Sequence, residues 1–590
     1  MIVPMKKAAI ITQGKDSLSV LNSLSALGVL HVEHEQPPKS KDISVLHEKI
    51  TLFNQALSIL SGVEIEAKAV CVDKEAVDGQ FISRHIIDLY KRKDQLTEYL
   101  TALSMRIKQY EEWGDFDPQD FAVLARKNIF AGLYQLSPKT LEQLPDHIAV
   151  GKLTVKGGVT DCLLLSRRAI DIGVKEIPLP QMSLAGMLKR REEDSRMIRN
   201  INQQLRDQLS YAASLNKIKF SLQKELEFQE ALAGMGQAEQ LIYLKGYIPQ
   251  DAEKMFIMEA KKNSWGVFTS TPEEGDEVPT LVRNPAWISL IKPLLKLLEL
   301  VPGYNEIDIS PLFIVFFSLF FGMLIGDAGY GVVYFLLNLW LHKKFGYKLK
   351  DKSAFFLFYI LSFCAIIWGL LTGTFFGQQW LLNIGIKPLI PALANTAFIQ
   401  ALCFLIGALH LSLAHGWRAI LKAPALIALA ELGWICIIWA VFFLAKNLIL
   451  GDAFPLFGNR LIITGLVLVL FFTSPQKNIF KTIGEGLGTI ALSLVNNFTD
   501  VVSYIRLFAV GLAGVAIADA FNAMAAGIFK KGDLLTIVAA ALVVVFGHAL
   551  NIILGPMSVL VHGVRLNVLE FCSHVSVTWN GFAYKPFTKD

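Results

Sequence analysis

The sequence predicts an α-helical polytopic membrane protein of about eight transmembrane helices, the last two long and tilted, with an N-terminal cytoplasmic arm: an antiparallel coiled coil carrying α/β lobes. Three observations predict it. Composition changes sharply near Asp308, two apolar seams at helical spacing precede that point, and apolar runs of membrane length continue from it to the C-terminus. The averages over 590 residues, 53% hydrophobic and 18% charged, hide this division. A net charge of +5 is small for the length and spread out, so it carries no nucleic-acid signal.

The arm is expected over residues 1–308. Its opening, MIVPMKKAAIITQGKD, has neither the long apolar core nor the small-residue cleavage site of a secretory signal, so this half is expected to stay in the cytoplasm. Residues 7–12, 16–28 and 29–34 read as strand, helix and strand. Ile82, Ile86, Leu89, Leu96, Leu100, Leu103, Ile107 and Tyr110 come next at steps of three, four and seven. Ile198, Ile201, Leu205, Leu209, Ala212, Leu215, Leu222 and Leu226 form a similar seam among polar residues. Two arms around a mixed segment suggest a hairpin of about 41–113 and 183–232. Its tip is a distal lobe of about 115–180, built from the strand-like pieces 127–136, 147–155 and 160–168. A proximal lobe would combine 1–40 with 235–275, where LIYLKGYIPQ reads as strand and turn. The six cysteines (71, 162, 364, 403, 436, 572) show no CxxC spacing, so reduced thiols are expected and no metal site. There is no phosphate-binding loop, dinucleotide fingerprint, HExxH or nucleophile elbow. GEGLGT at 484–489 opens an apolar helix with neither a preceding strand nor a lysine. No cofactor and no catalytic nucleotide site are expected.

The membrane half is expected over 309–590, with apolar runs at 310–341, 353–377, 395–417, 425–445, 459–473, 482–529 and 534–575. GDAGYG at 326–331 interrupts the first. Read as two spans, it puts the loop with Lys343, Lys344, Lys348, Lys350 and Lys352 in the cytoplasm, together with Arg418, Lys422, Lys477 and Lys481. That satisfies the positive-inside rule and gives eight spans with both termini cytoplasmic. At about 1.5 Å per residue the last two runs would extend roughly 70 Å, against an apolar core of about 30 Å. They are expected to tilt, kink or project.

Arg506 sits deep in the run from Ile483 to Phe529. A guanidinium at mid-membrane costs about 2.5–3.5 kcal/mol on insertion scales, and arginine does not escape by losing its proton. The site calls for a carboxylate. Asp500 is the one acid within two turns that resembles a partner, so the natural inference is a carboxylate on another chain. Asn496, Thr499, Ser503 and Arg506 are spaced at steps of three, four and three, on one helix face. His548, Asn551, Gly555, Ser558, His562 and Arg565 share a face of the last run, with Glu570 beyond. Taken singly, such Asn, Ser and Thr residues serve interhelical hydrogen bonding, histidines pack, and Arg565 snorkels to the interface. Two aligned stripes, each ending at an arginine, point instead to a hydrated path. His410 and His415 read as structural. Ala509, Gly511, Ala513, Gly514 and Ala516 would let a neighbouring helix approach closely or slide past.

SYIRLFAVGLAG around Arg506 and GHALNIILGPMSVLVHGVRLNVLEF resemble the last two helices of the a-subunit (subunit I) of V/A-type rotary ATPases. ALGVLHVE, YLKGYIP, VPTLVRNP, YNEIDISPLF, FFGMLIGDAGYG, GLLTGTFFG and the bacterial-type WNGFAYKPF occur in the family's order. The resemblance implies a stator subunit in a bacterial cytoplasmic membrane, coupling H⁺ or Na⁺ translocation to ATP hydrolysis or synthesis. Its partners would be a proteolipid ring with one buried carboxylate per subunit, peripheral stalks on the arm, a central-stalk or ring-cap subunit, and the ATPase head. Arg506 matches the arginine that faces the ring carboxylate; Arg565 and His562 match polar positions lining the path. The carboxylate is neutral against lipid and favours its charged form beside a guanidinium, releasing its ion there. Where many relatives carry acids on the last two helices, this chain has Leu492 and Gly555, leaving Asp500 and Glu485 as nearby acids. A secondary ion transporter would show two similar halves, and 310–450 does not repeat in 450–590. A coiled-coil scaffold would not explain an arginine at mid-membrane.

Overall fold

The computed structural model describes residues 1–63, 78–156, 158–238, 241–273, 275–347, 349, 351–378, 389–474, 479–530 and 533–588. Cys71, Lys348, Lys350 and Lys477 lie outside them. The chain divides into two compact units: Ile10–Gly28, Val32–Lys245 and Phe587–Asp590 form one, and Met1–Ala9, Val29–His31 and Gly246–Pro586 the other.

In the first of these, helix starts are written in the sequence. α1 (Ser17–Leu27) stops at Gly28, whose left-handed φ of 63° suits glycine. Ser40 caps α2 (Lys41–Ser61), its Oγ accepting from Ile43 N at 3.1 Å. Asp78 caps α3 (Gly79–Tyr110), and Ser183 caps α4 (Leu184–Gln208), which continues into α5 (Ala212–Ala233). α2 packs against α3 and α5, and α3 against α4. Phe53, Ala56, Leu60, Ile86, Leu89, Ile201, Leu205 and Leu215 are buried between them. Leu103, Ile107, Tyr110, Trp113 and Met187 form a second cluster that reaches Leu133.

Eight strands accompany the helices among the described residues: β1 (Met5–Gln13), β2 (His31–Glu33), β3 (Phe130–Leu136), β4 (Ile148–Lys156), β5 (Val159–Ser166), β6 (Gly236–Ala238), β7 (Leu241–Pro249) and β8 (Gly266–Ser270). β3, β5 and β4 form an antiparallel sheet in that order, with Leu133 opposite Leu163 and a bulge between Lys152 and Thr154. The other sheet has the order β2-β7-β1-β8, with β6 pairing to β7.

The second unit holds the apolar helices: α6 (Ser310–Ile325), α7 (Ala328–Phe345), α8 (Ser353–Thr372), α9 (Thr396–Lys422), α10 (Ile427–Ala445), α11 (Leu456–Phe472), α12 (Ile479–Ser503), α13 (Ile505–Phe529) and α14 (Leu534–Ser558). Among the described residues, five stretches are long and apolar enough to cross a membrane: α8, α9, α10 carried on to Leu450, Ile483–Phe529 and Leu534–Val575. The pair α6 and α7, bent by 120°, adds a sixth when taken as one span, and α11 has 17 residues. The sequence predicts eight. The difference lies in whether both halves of the bent pair and the short α11 also cross.

GDAGYG makes the bend. Gly326 closes α6 with φ 66°, and Asp327, fully buried, opens α7. Its carboxylate accepts from Tyr330 N at 3.1 Å and from Gly377 N at 2.7 Å. Backbone donors freed at membrane depth need such partners, because hydrocarbon supplies none. The two long runs are not continuous α-helices. The first breaks at Tyr504 between α12 and α13; the second passes into π-helical turns at Val559–Gly563 and Leu566–Phe571. Gly511 lets α13 touch α6: a Cβ there would lie 2.5 Å from the Met323 carbonyl oxygen.

Candidate functional site

Arg506 is the second residue of α13, just past the break. Its Nη2 lies 3.2 Å from Glu570 Oε1, which Arg565 Nε also approaches at 3.4 Å and Ser503 Oγ at 3.3 Å. Glu570 is 5% exposed, Arg506 26% and Arg565 55%. The two polar stripes therefore meet at one carboxylate. Arg506 thus has a partner within its own chain, beside any that another chain would bring. The reason is the π-helical turns, each of which adds a residue to a turn and re-aims the side chains beyond it. α-Helical spacing left Glu570 beside Arg565; the π turns bring it to Arg506 as well. Asp500 pairs elsewhere, with His574 at 3.1 Å.

Arg506 has donors left. Its Nη1 is buried with no hydrogen-bond partner among the described residues, and Glu570 Oε2 is buried and equally unpartnered. Beyond Arg506 the small residues of α13 split between two faces. Gly511 is buried against α6, whereas Ala509, Ala513 and Ala516 are exposed at steps of four and three. Asn496 and Thr499 are exposed on α12.

The rest of the second stripe separates. His548 Nδ1 lies 2.7 Å from Tyr330 Oη, and its Nε2 lies 3.1 Å from Asn522 Oδ1. Asn551 donates to Tyr330 Oη at 3.1 Å and to the Gly514 carbonyl at 2.7 Å. These residues join the GDAGYG helix, through a tyrosine that sequence reasoning did not single out. A Cβ on Gly555 would sit 2.7 Å from Tyr334 Oη, so that hydroxyl fills the space a side chain would need. Ser558 and His562 are half-buried at the start of the π turns.

A second polar cluster escaped sequence reasoning. Glu431, 3% exposed on α10, accepts from Lys422 Nζ at 2.6 Å and lies 3.0 Å from Arg418 Nη2 and 2.7 Å from His415 Nδ1. His415 Nε2 lies 2.9 Å from His574 Nδ1, and His574 Nε2 reaches Asp500. A cavity of about 270 Å³ borders Glu431, His415, His574, Asp500, Asn496 and Asn497. The signal was available: Glu431 is an acid inside an apolar helix, the kind of residue that marks function by default. His410 differs. Fully buried, it stacks between Phe316 and Phe571 and meets Tyr504 Oη at 2.9 Å, as a packing histidine does. Among the described residues no three His, Cys, Asp or Glu side chains converge so as to hold a metal ion.

No protein-family model matches the chain. It is 32% identical over 624 residues to the V-type ATP synthase subunit I of Borreliella burgdorferi and 30% identical over 636 residues to the V-type ATP synthase subunit I 1 of Treponema pallidum. Each comparison covers 100% of both chains. The A-type ATP synthase subunit I of Methanocaldococcus jannaschii is 26% identical over 399 residues, covering 61% of this chain and 56% of that one. Among solved structures, the cytoplasmic N-terminal domain of subunit I, homolog of subunit a, of V-ATPase covers 45% of this chain and 100% of its own. Its identity is 14% and its TM-score 0.22, too loose a likeness to carry an argument.

Proposed function

The chain belongs to the family of subunit I of V-type and A-type ATP synthases, and on that premise we propose that it is the stator that carries the ion half-channels of such a machine. It is a membrane subunit of a rotary ATPase. One observation carries the stator reading. Arg506 keeps one guanidinium nitrogen on Glu570 and holds another, Nη1, buried with no hydrogen-bond partner among the described residues. That is spare capacity for a carboxylate arriving from outside the chain.

The proteolipid ring would run along the exposed small face of α13, where Ala509, Ala513 and Ala516 offer no side chain to catch on. As a ring carboxylate nears Arg506, the guanidinium favours its charged form and the ion leaves. Glu570 keeps the uncompensated charge near one unit, so the ring carboxylate is drawn in without being held permanently. Asn496, Thr499, Ser503 and Asp500 would line one half-channel, and His548, Asn551, Ser558 and His562 the other, with Arg565 at the margin. A fixed cation between the two blocks direct leakage. Both halves of the bent α6–α7 pair and α11 would cross the bacterial cytoplasmic membrane, giving eight spans with both termini inside. The helical arm would carry the peripheral stalks that hold the ATPase head still, and the central stalk would turn with the ring.

The test is ATP-driven ion uptake by proteoliposomes containing the assembled complex. Arg506→Ala is expected to abolish uptake with assembly intact, and Arg565→Ala to reduce it less, because water already screens an exposed arginine. Full uptake with Arg506→Ala overturns the reading; equal loss in both variants overturns the ranking.

A further inference from the structure

The stretch that leads into α6 lies across one end of the membrane unit. Its two short helical turns, Ala286–Ser289 and Lys292–Leu297, pack against α6 and α8 respectively. Ile288, Ile291 and Leu294 are buried, the last two in the same apolar core as Leu357 and Leu361 of α8. The other side of the stretch is open. Trp287 is 53% exposed and Leu297 70%, and Lys292 and Lys296 are exposed on the same stretch. Buried aliphatic side chains on one side, with tryptophan, leucine and lysine on the other, suit a segment lying flat in a membrane interface.

The turn between α7 and α8 comes to the same place. Lys343, Lys344 and Lys352 flank it, all exposed. Asp351 in that turn accepts from Ser353 N at 2.9 Å. Hydrogen bonding from Ser353 foremost, and then the charges of Lys292 and Lys296, hold its carboxyl below the ordinary carboxylate value. Those two lysines are therefore within electrostatic reach of the turn. Lys344 Nζ stands 4.7 Å from the centre of the exposed Trp340 ring. One turn back along α7, Leu336 and Leu337 continue the exposed apolar surface. Five lysines thus gather around two acids, Glu299 and Asp351. Among the described residues Lys292, Lys296, Lys343 and Lys352 form no ion pair.

We infer that Lys292, Lys296, Lys344 and Lys352, with Trp287 and Trp340, bind the headgroup of an anionic phospholipid in the leaflet at the end where α6 and α8 begin. The site stands apart from the stator reading and uses no residue of the Arg506 cluster. Charge complementarity and the continuity of the patch with the exposed face of α7 choose this ligand. A phosphate answers the lysines, an acyl chain answers Trp287, Leu297 and the leucines of α7, and one phospholipid carries both. A soluble anion would leave the apolar part uncovered. A zwitterionic headgroup brings its own ammonium, which the lysines repel. Each lysine at an anionic membrane surface strengthens association about fivefold. A lipid held there fixes residues 286–300 at headgroup depth, and with them the entry of the chain into α6.

The test uses the purified complex in nanodiscs, with phosphatidylglycerol or phosphatidylcholine carrying a photoactivatable group on the headgroup, and mass spectrometry of the labelled peptides. Residues 286–300 and 340–356 are expected to take up the phosphatidylglycerol probe about tenfold more than the phosphatidylcholine probe. Combining Lys292→Gln, Lys296→Gln and Lys344→Gln should bring the two to the same level. Equal labelling in the wild type, an unchanged preference in the triple variant, or no label on these peptides overturns the site. Loss of label to inorganic phosphate at constant ionic strength would make it a soluble-anion site and overturn the lipid assignment. Where the triple variant does not assemble, the wild type decides: the preference should fall several-fold as salt shortens the screening length from about 10 Å to about 3 Å. A preference indifferent to salt overturns the proposal.

Discussion

Replacing Glu570 by glutamine removes one charge and almost no volume. Glu570 Oε1 lies 3.2 Å from Arg506 and 3.4 Å from Arg565. At an effective dielectric constant of about 20 each contact is about 5 kcal/mol of gross attraction. Arg565 is more than half exposed, so water screens its share to about 1 kcal/mol or less. Arg506 is three-quarters covered, and stripping a buried charge of its partner costs about 3–5 kcal/mol. Since desolvation offsets part of the attraction, the lower end applies, about 3 kcal/mol for Glu570→Gln. The assay is denaturant-induced unfolding in mixed micelles of the wild type, Glu570→Gln, Arg506→Gln and the double variant. The double variant should be about 2 kcal/mol more stable than the sum of the singles implies, because the second substitution removes a charge the first left stranded. Additivity to within about 0.5 kcal/mol would refute the reasoning. It would mean that Arg506 and Glu570 are neighbours without being a unit.

Three further outcomes are expected from contacts of the same kind. Asp327→Ala leaves the Tyr330 and Gly377 backbone donors without their partner at about 1–3 kcal/mol each. It should destabilise the membrane unit by about 3 kcal/mol, and Asp327→Asn, which keeps one acceptor, by about half; the same unfolding series reads both. Gly511→Ala pushes a methyl against the Met323 carbonyl and should cost about 1–3 kcal/mol, with loss of close α6–α13 packing visible as faster amide exchange in both helices. Partial burial raises the pKa of Glu306, but hydrogen bonds from the Thr578 hydroxyl and backbone N–H and from Gly303 N–H outweigh it, so the carboxyl lies below its ordinary value. A depressed carboxylate pKa gives stability that is present above the unfolded pKa and lost as pH falls through the folded one. Residues 576–588 should therefore become protease-sensitive on acidification below about pH 4.5, and Glu306→Gln should remove that pH dependence.

What the sequence reveals here is whatever depends on neighbours along the chain. Caps at Ser40, Asp78 and Asp327 and the apolar runs of the membrane helices are local, and each marks its element. Arg506 stands out because one charge in an apolar run is conspicuous by itself. What stays hidden depends on contacts across long separations. His415 meets a histidine 159 positions away, and the Tyr330 and His548 rings lie 218 positions apart. No periodicity encodes either. Glu570 lies beside Arg565, as the sequence reading has it; its reach to Arg506 is hidden for a different reason, because two π-helical turns break the spacing of 3.6 residues per turn. Glu431 was overlooked although the rule that singled out Arg506 applies to it equally.

The most direct test of the stator is a cross-link. Ala513 lies exposed on the small face of α13, two turns from Arg506. Ala513→Cys, in a background where the native cysteines are alanine, would be paired with a cysteine beside the proteolipid carboxylate and oxidised in the assembled complex. The expected result is a disulfide between the two subunits that stops ATP-driven ion transport, with reduction restoring it. Absence of that cross-link, or its formation with transport undisturbed, would contradict the claim that this face of α13 runs along the moving ring.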